Sequence, residues 1–159
     1  MPKPKDGKGT IASQAIETPE FPLELILDGV HVNDESLALV KASGKNRTIL
    51  VTDAMSAAGA GDGKFTIGAL AVTVVKGVAR LDSNGSLAGS TLTMDVAFRN
   101  YFNSGATLIE CVNASSTLPA KVLGFNEVGS ITVGKRADLL EVTTDIEIKV
   151  IEASSQSRA

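Results

Sequence analysis

The chain has 159 residues, 43% hydrophobic and 21% charged, which is ordinary for a globular domain with a real hydrophobic core. Its formal net charge of −3 gives no general attraction to nucleic acid or to anionic membranes, so neither class of partner is expected. The single cysteine, Cys111, allows no internal disulfide, and the sequence shows neither a signal-peptide pattern nor an apolar run of about 18 residues. We therefore expect a cytoplasmic location.

The first third of the chain predicts a parallel crossover unit. An apolar run at 21–27 and a second run at 47–52, rich in β-branched residues, are typical of short buried strands. Between them, Asn33 is placed to cap a helix that carries Leu37 and Val40 on one face. A strand, a helix and a strand in this order indicate two neighbouring parallel strands.

Residues 64–81 predict antiparallel strands that leave the main sheet. Apolar residues alternate with polar ones there, and Lys76 and Gly77 provide a turn. Apolar residues then recur at helical spacing from Met94 to Phe102, which predicts an amphipathic helix closed by Gly105.

Two more helical segments follow, and together these helices are expected to cover a sheet. Thr107 and Glu110 have the spacing of a capping box, and Pro119 is well placed to begin a further turn that ends at Gly124. Cys111 lies in an apolar helical pattern, which favours a buried thiol over a nucleophile.

The last part of the chain predicts a small β element. Apolar and polar residues alternate at 131–133, 139–142 and 146–151, and a polar end begins at Ser154. We therefore predict a boundary between residues 1–128 and residues 129–159.

Asp53 and His31 are the candidate chemical groups, because each follows one of the two predicted parallel strands. The carboxyl ends of such strands are where ligands and reacting groups collect. Two structural alternatives stay open: Asp53 caps a turn, and His31, the sole histidine, is a hydrogen-bonded structural residue. One histidine and one aspartate are too few ligands for a typical zinc site.

Five segments carry a more specific signal. They are 25–32 (LILDGVHV), 50–55 (LVTDAM) followed by Ala57, Ala58 and Gly59, 87–94 (LAGSTLTM), 113–115 with Pro119 and Ala120, and 129–131 with 134–139. In order and separation, the first three resemble signatures of the N-acetylglucosamine-6-phosphate deacetylases. The other two resemble the common ending of metal-dependent amidohydrolases. The resemblance runs over nearly the whole chain.

The resemblance implies an α/β fold, namely the C-terminal part of an amidohydrolase (β/α)8 barrel plus part of a small β-sandwich. The strand before His31 would be the seventh barrel strand and the strand before Asp53 the eighth, with residues 64–81 as the excursion and 129–159 as sandwich strands. The implied partners are N-acetylglucosamine 6-phosphate and, in the full-length enzyme, a second subunit of a homodimer.

The resemblance also implies roles for individual residues. Asp53 would be the general base and acid, taking a proton from a metal-bound water that attacks the acetamide carbonyl and passing it to the leaving amine. His31 would polarise the carbonyl or orient the sugar. The remaining wall of the substrate site would be formed by Asp28, Gly29, Val30, Leu87, Ala88 and Gly89, where the missing β-carbon of Gly89 permits close approach.

The chain departs from the family at its start. The family's metal ligands, a glutamate and two histidines for zinc or iron, would lie upstream of Met1, so we expect no metal ligands in this chain. The phosphate-binding arginine of the family falls near Gly7, where Lys5 or Lys8 offers a cation without bidentate geometry. With only two barrel strands, the isolated chain is expected to expose strand edges and to be inactive and oligomeric or prone to aggregate.

Two alternatives to the deacetylase remain. A truncated, non-catalytic paralogue would bind the sugar phosphate or associate with a full-length enzyme, and metal content would distinguish the two. Another amidohydrolase with a similar ending is the third possibility, and the segments at 28–31 and 87–89 argue against it.

Overall fold

The structure is a computed structural model that describes residues 10–43 and 46–151. The first elements are helix α1 (Ile11–Glu17), strand β1 (Leu23–Leu25), helix α2 (Asp34–Ala42) and strand β2 (Thr48–Leu50). Strands β1 and β2 pair in parallel, with Leu23 opposite Thr48 and Leu25 opposite Leu50, which confirms the predicted crossover unit. Asn33 caps α2 through its side chain, as predicted.

Both strands are shorter than the apolar runs that predicted them. Each ladder strand has three residues, although Leu27 beyond β1 is still buried at 6% exposure. Among the described residues β1 and β2 pair only with each other, so the hydrogen-bonded ladder is limited to their overlap.

Arg47 connects the first helix to the parallel pair. Its guanidinium group donates hydrogen bonds to five backbone carbonyl oxygens, those of Ala15, Ile16, Thr18, Phe21 and Ser43. Three of these carbonyls lie at the C-terminal end of α1, where a cation is favourable. Arg47, which immediately precedes β2, therefore also fixes the position of α1.

A three-stranded antiparallel sheet follows, built from β3 (Gly63–Ile67), β4 (Leu70–Val75) and β5 (Val78–Leu81) in that order. The antiparallel strands predicted at 64–81 are confirmed, and they form a sheet separate from the parallel pair. Val72, Val74 and Ala79 are at most 2% exposed and form a small core with Ala57 and Ala88.

The helical layer consists of α3 (Met94–Asn103), α4 (Leu108–Val112), a π-helical segment (Asn113–Thr117) and α5 (Leu118–Leu123). The capping box between Thr107 and Glu110 is confirmed, and Gly124 ends α5 in the left-handed conformation. The second and larger core lies between these helices and the parallel pair and includes Leu25, Leu50, Phe98 and Tyr101. The sequence did not predict the π-helical segment.

The end of the described chain is a hairpin of β6 (Leu139–Val142) and β7 (Ile148–Ile151). The strand predicted at 131–133 is wrong: the chain there is a loop, with Ile131 90% exposed. Gly129 and Gly134 flank it with positive φ angles, which interrupt an extended conformation. Ile146 lies in the turn before β7 and is buried in the larger core.

The boundary between 128 and 129 stays a prediction. Across the described ranges, no helix is long and apolar enough to cross a membrane.

Candidate functional site

The segment that follows β1 folds back on itself around Asp28. One carboxylate oxygen, Oδ1, accepts hydrogen bonds from the backbone N–H groups of Val30 and His31, both at 2.9 Å. The other oxygen, Oδ2, lies 2.7 Å from Nδ1 of the His31 ring. Gly29 makes this turn possible with a φ of 76°, a conformation that suits glycine. Asp28 and His31 are thus one unit, which the sequence did not predict.

The electrostatics of this unit favour an ionised Asp28. Partial burial raises the pKa of the Asp28 carboxyl, but the backbone hydrogen bonds from His31 and Val30 and the contact with the imidazole outweigh it. The net result is a pKa below the ordinary value for aspartate. At neutral pH the carboxylate therefore acts only as an acceptor.

The segment that follows β2 places Asp53 in an unusual backbone conformation. Its φ is 50°, in the left-handed region that aspartate tolerates better than most residues. The side chain is exposed, and its carboxylate makes no hydrogen bond or ion pair with any residue in 10–43 or 46–151. The Asp53 carboxylate is therefore unshared, in the sense that none of the described residues uses it as a hydrogen-bond or ion-pair partner.

The backbone around Asp53 is held by Ser90. The N–H of Ser90 donates to the carbonyl of Asp53 at 2.7 Å, and the carbonyl of Ser90 accepts from Met55 N–H at 2.9 Å. The Ser90 hydroxyl is buried, donates to the carbonyl of Thr52 and accepts from the N–H of Leu92. The sequence did not predict this role of Ser90, because its hydrogen bonds to Thr52 and Asp53 join residues that are far apart along the chain.

The predicted residues of the 87–89 segment lie beside Asp53. A β-carbon at Gly89 would approach the Asp53 carbonyl oxygen to 2.9 Å, so the close approach at Gly89 is to the protein backbone itself. Leu87 bridges to Arg80, and Ala88 is buried in the small core. The predicted contact of this segment with a substrate stays a prediction.

The structure thus forms two clusters, one of Asp28 to His31 and one of Asp53 with 87–90. Because β1 and β2 are parallel, the segments that follow them leave from the same edge of the pair, as predicted. No hydrogen bond or ion pair within the described part of the chain joins the two clusters. Lys5 and Lys8 lie outside the described residues.

The described residues do not fit a resident metal ion. They contain no group of three or more histidine, cysteine, aspartate or glutamate side chains that could hold one. His31 and Asp53 alone supply fewer donors than the four-coordinate sites typical of zinc.

A cavity of about 560 Å³ lies away from both clusters. Its walls come from the start of α3, the π-helical segment, the 128–131 loop and the β6–β7 hairpin, and include Phe98, Ile131 and Leu140. Arg136 and Asp138, also in its lining, form an ion pair at 2.7 Å. The sequence did not predict this cavity, because it depends on how the terminal hairpin packs on the helices.

Comparison with known proteins decides the family. Residues 13–158 match the family model described as "Amidohydrolase family". The chain belongs to the amidohydrolase family. Its α/β content and its likeness to solved amidohydrolases indicate part of that fold.

Among curated relatives, this amidohydrolase is 40% identical over 136 residues to an Escherichia coli (strain K12) protein provisionally named an N-acetylgalactosamine-6-phosphate deacetylase. The match covers 84% of this chain and 81% of that protein.

Among solved structures, the amidohydrolase resembles the N-acetylglucosamine-6-phosphate deacetylase of Thermotoga maritima, with a TM-score of 0.83 and 39% identity over 89% of this chain. It also resembles an aspartate-to-alanine variant of the Mycobacterium smegmatis N-acetyl-D-glucosamine-6-phosphate deacetylase, solved with N-acetyl-D-glucosamine-6-phosphate (TM-score 0.78, 33% identity, 86% of this chain). The chain spans 40% and 38% of the lengths of these two proteins. The resemblance recognised in the sequence is confirmed.

Proposed function

We propose that the chain is the C-terminal part of an N-acetylglucosamine-6-phosphate deacetylase, which hydrolyses the acetamide of the sugar phosphate to glucosamine 6-phosphate and acetate. The observation that carries this proposal is the unshared, exposed carboxylate of Asp53 at the edge where β1 and β2 both end. The deacetylase names of the similar proteins support the reaction.

Asp53 performs the proton transfers in this proposal. Its carboxylate accepts a proton from the water that attacks the acetamide carbonyl carbon. The same proton then goes to the amine nitrogen as the C–N bond breaks, so that acetic acid and the free amine leave and Asp53 is regenerated. The acid loses its remaining proton to solvent and becomes acetate. Amidohydrolases generally depend on a metal ion, and its ligands would come from outside the described residues.

The proposal extends to the architecture. Strands β1 and β2 are the seventh and eighth strands of a (β/α)8 barrel, and the β6–β7 hairpin belongs to a small β-sandwich. The parallel pairing, the crossover through α2 and the TM-score of 0.83 support this assignment. The full-length enzyme is a homodimer in this proposal.

A second candidate substrate is N-acetylgalactosamine 6-phosphate, which differs only in the configuration at C4. The name of the E. coli relative favours it, and identities of 40% and 39% to the two kinds of deacetylase do not separate the sugars.

The test is a chimera in which this chain replaces the corresponding segment of the Thermotoga maritima enzyme. We expect the folded, metal-loaded chimera to release acetate from one or both sugar phosphates, and the ratio of kcat/KM values identifies the preferred sugar. A folded chimera that binds a sugar phosphate without releasing acetate would favour the non-catalytic paralogue. One that releases acetate from neither sugar and binds neither would refute the proposal.

A further inference from the structure

The two oxygens of Asp28 have separate tasks. Oδ1 accepts from the backbone N–H groups of Val30 and His31, and the sole hydrogen-bond partner of Oδ2 among residues 10–43 and 46–151 is the Nδ1 atom of the His31 ring. An ionised carboxylate can only accept hydrogen bonds, so Nδ1 must carry the proton that lies between it and Oδ2. The geometry therefore selects one of the two neutral forms of the imidazole.

The other ring nitrogen of His31, Nε2, then presents a lone pair whenever the ring is neutral. Within residues 10–43 and 46–151, Nε2 has no hydrogen-bond partner, and no buried side-chain nitrogen or oxygen there lacks one. Nε2 is therefore accessible. His31 follows β1 and Asp53 follows β2, so both residues lie beyond the same end of the parallel pair.

We propose that Asp28 is a positioning residue that holds His31 as its Nδ1–H tautomer, so that Nε2 accepts a hydrogen bond from a hydroxyl or N–H group of the sugar phosphate. The inference rests on the proposed function and deepens it. It replaces the expectation that Asp28 itself contacts the substrate. It also means that a neutral His31 cannot donate to the acetamide carbonyl, since only the doubly protonated ring has a proton on Nε2.

The chain itself allows a direct measurement, because His31 is its only histidine. The ¹⁵N shifts of its ring, recorded on the full chain at a pH where the spectrum shows a neutral ring, separate a protonated from an unprotonated nitrogen. We expect a protonated Nδ1 and an unprotonated Nε2. A protonated Nε2 in the wild-type chain would overturn the proposal, as would a ring that stays doubly protonated at every pH at which the chain is folded.

Asp28→Asn tests whether the Asp28 carboxylate selects the Nδ1–H tautomer of His31. The amide oxygen of asparagine can keep both backbone hydrogen bonds, but its NH₂ group then faces Nδ1 and donates to it. We expect the proton to move to Nε2 while the turn persists. Asp34→Asn is the matched control, because Asp34 is an exposed carboxylate in the first turn of α2 and its loss should leave the tautomer unchanged. A folded Asp28→Asn chain that retains the Nδ1–H form would refute the assigned role.

The effect of Asp28→Asn on substrate binding is measured as the KM of the chimera described above. Asp28→Asn should raise KM, because Nε2 then offers a proton where the substrate also offers one, whereas a purely structural turn would leave KM unchanged. The ring spectrum needs no substrate, so the two proposals fail separately. An inactive chimera whose His31 has the expected tautomer would refute only the deacetylase assignment. An active chimera whose KM is unchanged by Asp28→Asn would refute only the role of Asp28.

Discussion

A β-carbon placed on Gly89 would lie 2.9 Å from the carbonyl oxygen of Asp53. Real β-carbons essentially never approach backbone oxygen so closely, and the same carbonyl accepts a hydrogen bond from Ser90 N–H. The left-handed backbone of Asp53 and the left-handed backbone of Gly89 therefore fit against each other. The position of the candidate proton-transfer group depends on a residue without a side chain.

Gly89→Ala should lower the free energy of unfolding by more than the roughly 1–2 kcal/mol of the left-handed conformation, because the backbone must also shift. Gly85→Ala is the matched control, since Gly85 has a φ of 72° and a β-carbon added there would meet nothing within 4 Å. Chemical denaturation of both variants measures the difference. Equal decreases in the free energy of unfolding of the two variants would show that the backbone adjusts to a β-carbon at position 89 without further cost.

Asp53→Asn should reduce turnover by the chimera by on the order of 10²–10⁴, because asparagine keeps the shape and removes the basic group. Substrate binding should survive. Steady-state kinetics of acetate release measure both quantities, and Asp145→Asn, at an exposed carboxylate in the turn between β6 and β7, is the control. Near-normal turnover would leave Asp53 with the role of a turn residue, which asparagine serves equally well.

Cys111 should resist alkylation in the folded chain and become reactive only on unfolding. Burial, reinforced by the nearby Glu110 carboxylate, raises the pKa of the Cys111 thiol to about 11 from an ordinary value of 9.0. The folded state therefore binds this proton more tightly than the unfolded state, so the thiol's contribution to stability is complete below pH 9.0 and declines as pH rises to about 11. Denaturation of wild-type and Cys111→Ala chains over this range should show a steeper decline for the wild type, and parallel curves would contradict the shift.

Arg47→Lys should destabilise the chain by about 1–3 kcal/mol, because an ammonium group has three donors and cannot serve five carbonyls in a planar arrangement. Arg80→Lys provides the comparison, since Arg80 is exposed and its guanidinium donates, within the described part of the chain, one hydrogen bond, to the carbonyl of Gly85 at 2.8 Å. Thermal melting of the two variants tests the difference. A decrease in melting temperature for Arg47→Lys that is no larger than for Arg80→Lys would mean that the backbone carbonyls have other hydrogen-bond donors when the guanidinium is absent.

The isolated chain should associate with itself. Several large apolar side chains of the described residues are exposed, among them Ile109 at 80%, Val150 at 75% and Ile131 at 90%, and exposed apolar surface of this kind drives association. Light scattering coupled to size-exclusion chromatography measures the mass. A sharp monomer peak that persists at high concentration, with a cooperative thermal transition, would show that these surfaces are tolerated in water.

The sequence predicted the elements that depend on near neighbours. The capping box of Thr107 and Glu110 and the amphipathic spacing of α3 are local patterns, and both were confirmed. The strand at 131–133 failed because alternation is also local, whereas a strand needs a partner, and Ile131 finds none among the described residues.

The candidate site was predicted only as a set of residues. The bond between Asp28 and His31 requires the turn at Gly29, and the tie between Ser90 and Thr52 joins residues far apart in sequence. The role of Arg47 was not predicted for the same reason, since its carbonyl partners lie at 15–18, at Phe21 and at Ser43. Sequence patterns locate such residues, and only the folded chain shows which of them meet.

The strands of the β3–β5 sheet pair with immediate neighbours in sequence, and the sheet packs against Ala57 and Ala88 in a core separate from the larger one. Residues 87–90 pair on one side with β5, through Leu87 and Ala88, and on the other with Asp53 and Met55. Loss of this sheet's packing would therefore also remove the support of the Asp53 backbone, although no candidate site residue lies in β3, β4 or β5.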